Sequence, residues 1–238
     1  MAAMNTQPII ALDVGTLRDA QSLVHTLGGD ATFYKVGLQL FTAEGPRVVE
    51  WLHAQGKSVF LDLKLHDIPN TVQHAAQSAA ALGVALLTVH GIGGAPMVRA
   101  AVEGAGSGTG ILVVTVLTSM DLPMLRGAVG HDVTSVADEV LRLAGVAAQA
   151  GAHGVVCSGH ECGAVVAAHP VLGVLVPGIR ASGGATHDQS RVVTPEQARA
   201  AGARYAVIGR AVTTAENPAA ALRSLHAALY ATLRDGSH

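Results

Sequence analysis

The chain has 238 residues, half of them hydrophobic and 13% charged, with a formal net charge of −2. This length suits one large domain with a sizeable core, and the composition excludes extended disorder. The near-neutral charge argues against a broad contact with nucleic acid or an anionic membrane surface.

The opening residues MAAMNTQPII lack a basic region followed by a long apolar run, so no signal peptide is expected. No stretch reaches ~18 uninterrupted apolar residues, so no membrane span is expected. The run PIIALDV (8–14) then begins an alternation of short β-rich segments with Ala/Leu-rich segments of helical spacing. Further strands are predicted at 32–38, 58–64, 84–90, 111–117, 153–158, 172–177 and 205–209. Helices are predicted after each strand, at 17–27, 43–55, 70–82, 95–104, 134–150, 160–168, 195–201 and 217–233. Residues 118–133 and 180–190 read as irregular. Eight β-then-α units point to an α/β fold, a closed (β/α)8 TIM barrel in one domain spanning 1–238. A doubly wound open sheet is the alternative. It usually carries G-x-G-x-x-G after its first strand, and the first turn here, LDVGTLRDA, does not.

The two cysteines, Cys157 and Cys162, make neither a disulfide framework nor a complete zinc site. Inert thiols in a reducing cytoplasm are the expectation. The histidines show no ligand spacing, so no metal site is expected. Basic residues are distributed unevenly: twelve arginines against three lysines, Lys35, Lys57 and Lys64. Arginine can replace lysine as a solvated charge but not as a compact proton donor.

In the third strand Leu61, Leu63 and Leu65 share one parity and suit the helix-facing side. Phe60, Asp62 and Lys64 share the other and point inward. The charges therefore gather at the C-terminal end of the strand, where barrel enzymes place their chemistry. Other strand ends collect polar residues too: Asp13, Lys35, His90, and Thr118 with Ser119. Strand seven ends in Pro177-Gly178 with Arg180 close behind, and strand eight in Gly209-Arg210. One site lined by Asp13, Lys35, Asp62, Lys64, Arg180 and Arg210 accounts for this pattern better than separate structural ion pairs. Arg180 and Arg210 follow strands seven and eight, where barrels often hold phosphate, so a phosphorylated substrate is expected. Residues 181–189 are expected to close over it, with Gln189 donating a hydrogen bond.

The segments ALD (11–13), YKVG (34–37), DLKLHDIPNT (62–71), LTS (117–119), VPGIR (176–180), DQSRVVTPEQA (188–198) and IGR (208–210) resemble orotidine 5′-phosphate decarboxylases, in that family's order. The D-x-K-x-x-D core is shared with other phosphate-binding barrels, whereas the H-D-I-P-N-T extension is more specific. The resemblance implies decarboxylation of orotidine 5′-monophosphate to uridine 5′-monophosphate without cofactor or metal, by a cytoplasmic homodimer with shared sites. It implies that Lys64 protonates C6 and that Asp62 lies beside the substrate carboxylate. Asp67 and Thr71 would come from the other subunit. Asp13 and Lys35 match ribose contacts, with Lys35 counted in the catalytic charge set. Thr118 and Ser119 match the segment that reads the pyrimidine, and Pro177 the wall near the ligand. Arg180, Gln189, Gly209 and Arg210 match the phosphate grip. The rival readings are a metal-dependent sugar-phosphate decarboxylase on the same scaffold and a non-catalytic nucleotide-binding protein.

Overall fold

The computed structural model describes residues 5–180 and 193–230. Eight parallel strands follow in sequence order around a closed barrel: β1 (Gln7–Ala11), β2 (Phe33–Gly37), β3 (Ser58–Leu65), β4 (Leu86–His90), β5 (Gly110–Val114), β6 (Gly154–Val156), β7 (Gly173–Val176) and β8 (Tyr205–Ile208). The ring closes between β1 and β8, with Gln7 opposite Tyr205 and Ile10 opposite Ile208. The (β/α)8 barrel is thus the fold, and the open doubly wound sheet is not.

Among the described residues the helices are α1 (Leu17–Leu27), α2 (Leu38–Glu44), α3 (Arg47–Ala54), α4 (Pro69–Ala81), α5 (Gly94–Ala105), α6 (Leu122–Ala128), α7 (Val136–Gln149), α8 (Gly159–Ala168), α9 (Pro195–Ala200), α10 (Arg210–Thr213) and α11 (Pro218–Tyr230). Four of them, α2, α3, α6 and α10, depart from the sequence reading. The single helix expected over 43–55 is two, because Gly45 takes a φ of 62° and Pro46 follows it. Glycine reaches that conformation without steric cost, and proline suits the start of the next helix. The irregular stretch 118–133 contains α6, whose first turn is capped by the Asp121 carboxylate accepting from the Met124 N–H. A short α10 directly follows β8.

Side-chain parity sorts the barrel into two apolar layers. Ile9, Phe33, Phe60, Leu86, Leu112 and Tyr205 fill its interior. Ile10, Tyr34, Leu61, Leu87 and Val113, their neighbours along the strands, pack outward under the helices. Leu63 and Leu65 also pack on the outer layer, as their parity predicts. The interior layer plugs the lower half of the barrel, and a cavity opens above it. Pro69 opens α4 at a position where its missing N–H is not needed, so the chain leaves the barrel rim just after Asp67.

β3 is not regular. Leu61 lies opposite Leu87 of β4, yet Leu65 lies opposite Val89. Three residues, Asp62, Leu63 and Lys64, therefore face the single residue Thr88. Lys64 closes this bulge with a φ of 51°, the one positive value at a non-glycine position among the described residues. A left-handed conformation costs a residue with a Cβ about 1–2 kcal/mol.

Candidate active site

A cavity of about 290 Å³ opens at the C-terminal ends of the strands. Its floor is apolar, formed by Phe60, Leu175 and Val207, and its rim is charged. The inward positions of β2 and β3 carry Lys35, Asp62 and Lys64 onto the wall, and Asp13 joins them from the turn after β1. These four form a chain of alternating charge. Lys35 Nζ donates to Asp13 Oδ1 at 2.7 Å and lies 3.8 Å from Asp62 Oδ2. Lys64 Nζ donates to Asp62 Oδ1 at 2.8 Å. Asp62 is largely buried and sits between two ammonium groups, whereas Asp13 is exposed. Buried carboxylates are retained in such places when paired on both sides.

The lysine count reads differently in this light. Lys57, the third lysine, donates from Nζ to the carbonyl oxygens of Gly28 and Ala31, both at 2.8 Å, and supports a turn. The other two face the cavity.

Gly37, at the end of β2, makes room for this cluster. A Cβ there would lie 3.0 Å from Lys35 Nζ and 3.5 Å from Asp13 Oδ1. The glycine was part of the YKVG motif, but its steric reason becomes visible only with the two charges folded against it.

Arg180 and Arg210 line the same mouth from the ends of β7 and β8, beside Pro177, Gly178 and Gly209. Burial, with the facing Arg210 charge added to it, pushes the Arg180 guanidinium below its ordinary value. Two cations held so close favour an anion between them. Arg180 N–H also donates to the Val193 carbonyl, which brings the chain back to the barrel beside Ile179. Gln189 lies outside the described residues.

Thr118 lines the cavity, and Ser119 next to it is exposed and lies off the wall. Asp67 and Thr71 are exposed beyond the end of β3, and neither lines the cavity of its own barrel. Asp67 Oδ1 accepts the Ile68 N–H at 2.6 Å, which fixes the turn into α4. His90 packs on His66 with ring centroids 5.7 Å apart and is not part of the cavity wall. Burial lowers its imidazole pKa, and the His66 and Lys64 charges add to that effect. Among the described residues no group of three or more His, Cys, Asp or Glu is arranged to hold a metal ion.

The sequence places Thr88 in the strand predicted at 84–90 and assigns it no role. It is fully buried beneath the charged wall, and its hydroxyl contacts both Asp62 and Lys64. The signal was available: Leu86, Thr88 and His90 share one parity, so a polar residue was due inside the barrel next to Asp62.

The match to known proteins spans nearly the whole chain. Residues 6–225 fit the family described as orotidine 5′-phosphate decarboxylase / HUMPS. An orotidine 5′-phosphate decarboxylase of Anaeromyxobacter dehalogenans is 53% identical over 222 residues, 92% of this chain and 96% of that protein. One from Streptococcus thermophilus is 42% identical over 223 residues, 93% of this chain and 96% of that protein. The crystal structure of the Lactobacillus acidophilus enzyme of the same name superposes with a TM-score of 0.84 at 34% identity, covering 95% of this chain and all of that one.

Proposed function

The chain belongs to the orotidine 5′-phosphate decarboxylase / HUMPS family, and from that premise we propose how its residues divide the work of the reaction. The reaction is decarboxylation of orotidine 5′-monophosphate to uridine 5′-monophosphate, a carboxy-lyase step of pyrimidine biosynthesis. Relatives at 42% and 53% identity bear the name of this activity, which favours it over a sugar-phosphate decarboxylase or a non-catalytic nucleotide binder.

The observation that carries the assignment of roles is the chain Asp13–Lys35–Asp62–Lys64 sharing one cavity with the arginine pair. We assign the substrate phosphate to Arg180 and Arg210, with the Gly209 backbone and Gln189 assisting. Asp13 and Lys35 take the ribose hydroxyls. Thr118 and Ser119 meet the pyrimidine edge, and Pro177 walls the ligand. The C6 carboxylate then falls beside Asp62 and Lys64.

When the C6–carboxylate bond breaks, its electron pair stays on C6 and carbon dioxide leaves. The ring offers no adjacent sink for that pair. The Lys64 ammonium supplies both the counter-charge and the proton. The proton passes from Nζ to C6, and the amine regains one from solvent. Asp62 holds the ammonium in place and repels the departing carboxylate. Binding energy from the phosphate assists the step at C6.

Asp67 and Thr71 complete the site of a second subunit in this reading. Its support is that both are exposed and turned away from their own cavity. Leu38, Ile68 and Ile92 add to it, because these large apolar residues are exposed just beyond three neighbouring strands. A second copy of the chain would cover them. The reading also takes the 238 residues as one barrel domain working in the cytoplasm, which the buried, non-bridged cysteines suit.

Two measurements test this. Loss of orotidine 5′-monophosphate absorbance without added metal should accompany addition of the protein, and its absence would remove the functional reading. Lys64→Ala and Asp67→Ala homodimers should each be nearly inactive and should regain activity on mixing, since half the sites of a heterodimer keep both residues. No recovery after confirmed subunit exchange would place Asp67 within its own barrel.

A further inference from the structure

We propose that Thr88 is a positioning residue for the catalytic pair, holding Lys64 and Asp62 in register through one buried hydroxyl. The inference rests on the role given above to Lys64 and Asp62.

Thr88 sits at the one place where β3 and β4 cannot run as a regular ladder. Three β3 residues face it, so the Lys64 N–H has no strand carbonyl in register to accept it. The Thr88 hydroxyl oxygen accepts that N–H at 2.9 Å. The same hydroxyl donates its proton to Asp62 Oδ1, also at 2.9 Å. Asp62 Oδ1 in turn accepts from Lys64 Nζ at 2.8 Å. The contacts close a loop from the Lys64 backbone through Thr88 and Asp62 to the Lys64 ammonium. A hydroxyl is the smallest side-chain group that can accept from one and donate to the other at once.

The geometry explains how an unfavourable backbone persists at Lys64. Its φ of 51° turns the strand end so that Nζ reaches the cavity, and strained residues endure where their surroundings over-determine them. Thr88 supplies that constraint from below. It is fully buried and is not part of the cavity wall, so it acts through Lys64 and Asp62 and not on the substrate. Without the hydroxyl, the bulge is free to relax and the ammonium moves relative to C6. Small displacements of a proton donor cost rate while leaving ligand affinity, set by the distant arginines, in place.

Thr88→Ser and Thr88→Ala differ from each other by the hydroxyl alone, and both are small enough for the site to hold. Thr88→Ser should keep kcat within about 3-fold of the parent, and Thr88→Ala should lose roughly 10- to 150-fold in kcat, as for a hydrogen bond to a charged group. KM and the affinity for uridine 5′-monophosphate should change by less than about 3-fold in both. Equal kcat for the serine and alanine variants would overturn the proposal, as would a loss in the alanine variant confined to KM. Lys64→Ala, assayed alongside, separates the two levels. If it retains turnover, the catalytic reading falls and Thr88 with it. If it is inactive while serine and alanine at 88 turn over alike, the role of Thr88 falls alone.

Discussion

The two ends of the barrel are built from the same strands, and they hold opposite contents. Along β2 the inward residues are Phe33 and then Lys35; along β3, Phe60 and then Asp62 and Lys64; along β4, Leu86 and then Thr88. One step of two residues separates an apolar plug from a charged wall. The plug is sealed further by His153, whose Nε2 lies 2.9 Å from the Tyr205 hydroxyl, with the Arg204 guanidinium over the Tyr205 ring. The difference shows where each kind of cost is met. The lower end buries apolar surface and supports the fold. The upper end gathers charge and a strained backbone, which the plug beneath it must sustain.

This contrast can be broken from the top first. Lys64→Ala should lower turnover by about 10⁴-fold or more, since in the proposed mechanism it removes both proton donor and counter-charge. Its thermal unfolding should stay close to that of the parent, because the side chain is partly exposed. A steady-state assay beside a melting curve checks both, and near-normal turnover would refute the role of Lys64. Broken from the bottom, the result should invert. Phe33→Ala should cost about 3–5 kcal/mol of stability, as deletion of a buried aromatic does. Phe33 does not line the cavity, so kcat per folded molecule should hold. Denaturant melts with active-site titration would expose a failure of that separation.

A third change stays within the upper end. Arg210→Ala should weaken transition-state binding by roughly 1.5–3 kcal/mol, the scale of a charge-assisted hydrogen bond. Added phosphite should restore part of the turnover of a substrate lacking its phosphate in the parent protein and less of it in this variant. Equal losses for substrates with and without phosphate would take Arg210 out of the grip.

The smallest effect probes both ends with acid. Burial lowers the His90 pKa at the top from 6.5, helped by the His66 and Lys64 charges. Burial also lowers His153 at the bottom, with the Arg204 charge adding to it. Below pH 6.5 the unfolded chain takes up protons that these folded rings refuse. Their contribution to stability is therefore full above that pH and is lost as pH falls through the folded values. The melting temperature should decline on acidification, and His90→Gln and His153→Gln should each flatten the decline. A melting temperature unchanged down to about pH 5 would contradict this linkage.

The sequence made the strand count, the barrel and the inward set Asp62–Lys64 legible because alternation is a local signal. The presence of Arg180 and Arg210 at the cavity was legible from their positions after the last two strands. The bulge was not. It contains no glycine to announce a positive φ, and it depends on a register with β4 that no local pattern records. The inward parity of Thr88 can be read along β4, but its contact with Lys64 appears only where β4 meets the bulge. The break between α2 and α3 was overlooked although Gly45-Pro46 marks it, because the apolar spacing runs on through both helices.

The excess in β3 is two residues and not one, and this constrains how the gene can change. An even excess preserves the alternation, so Leu61, Leu63 and Leu65 all stay on the helix side while Asp62 and Lys64 stay inside. Adding or removing a single residue between Leu61 and Leu65 would exchange the two faces for everything beyond it. Leucines would enter the cavity and the turn to Asp67 would start from the wrong side. Length variation in this segment is therefore viable only in pairs, as though the strand carried a reading frame of two.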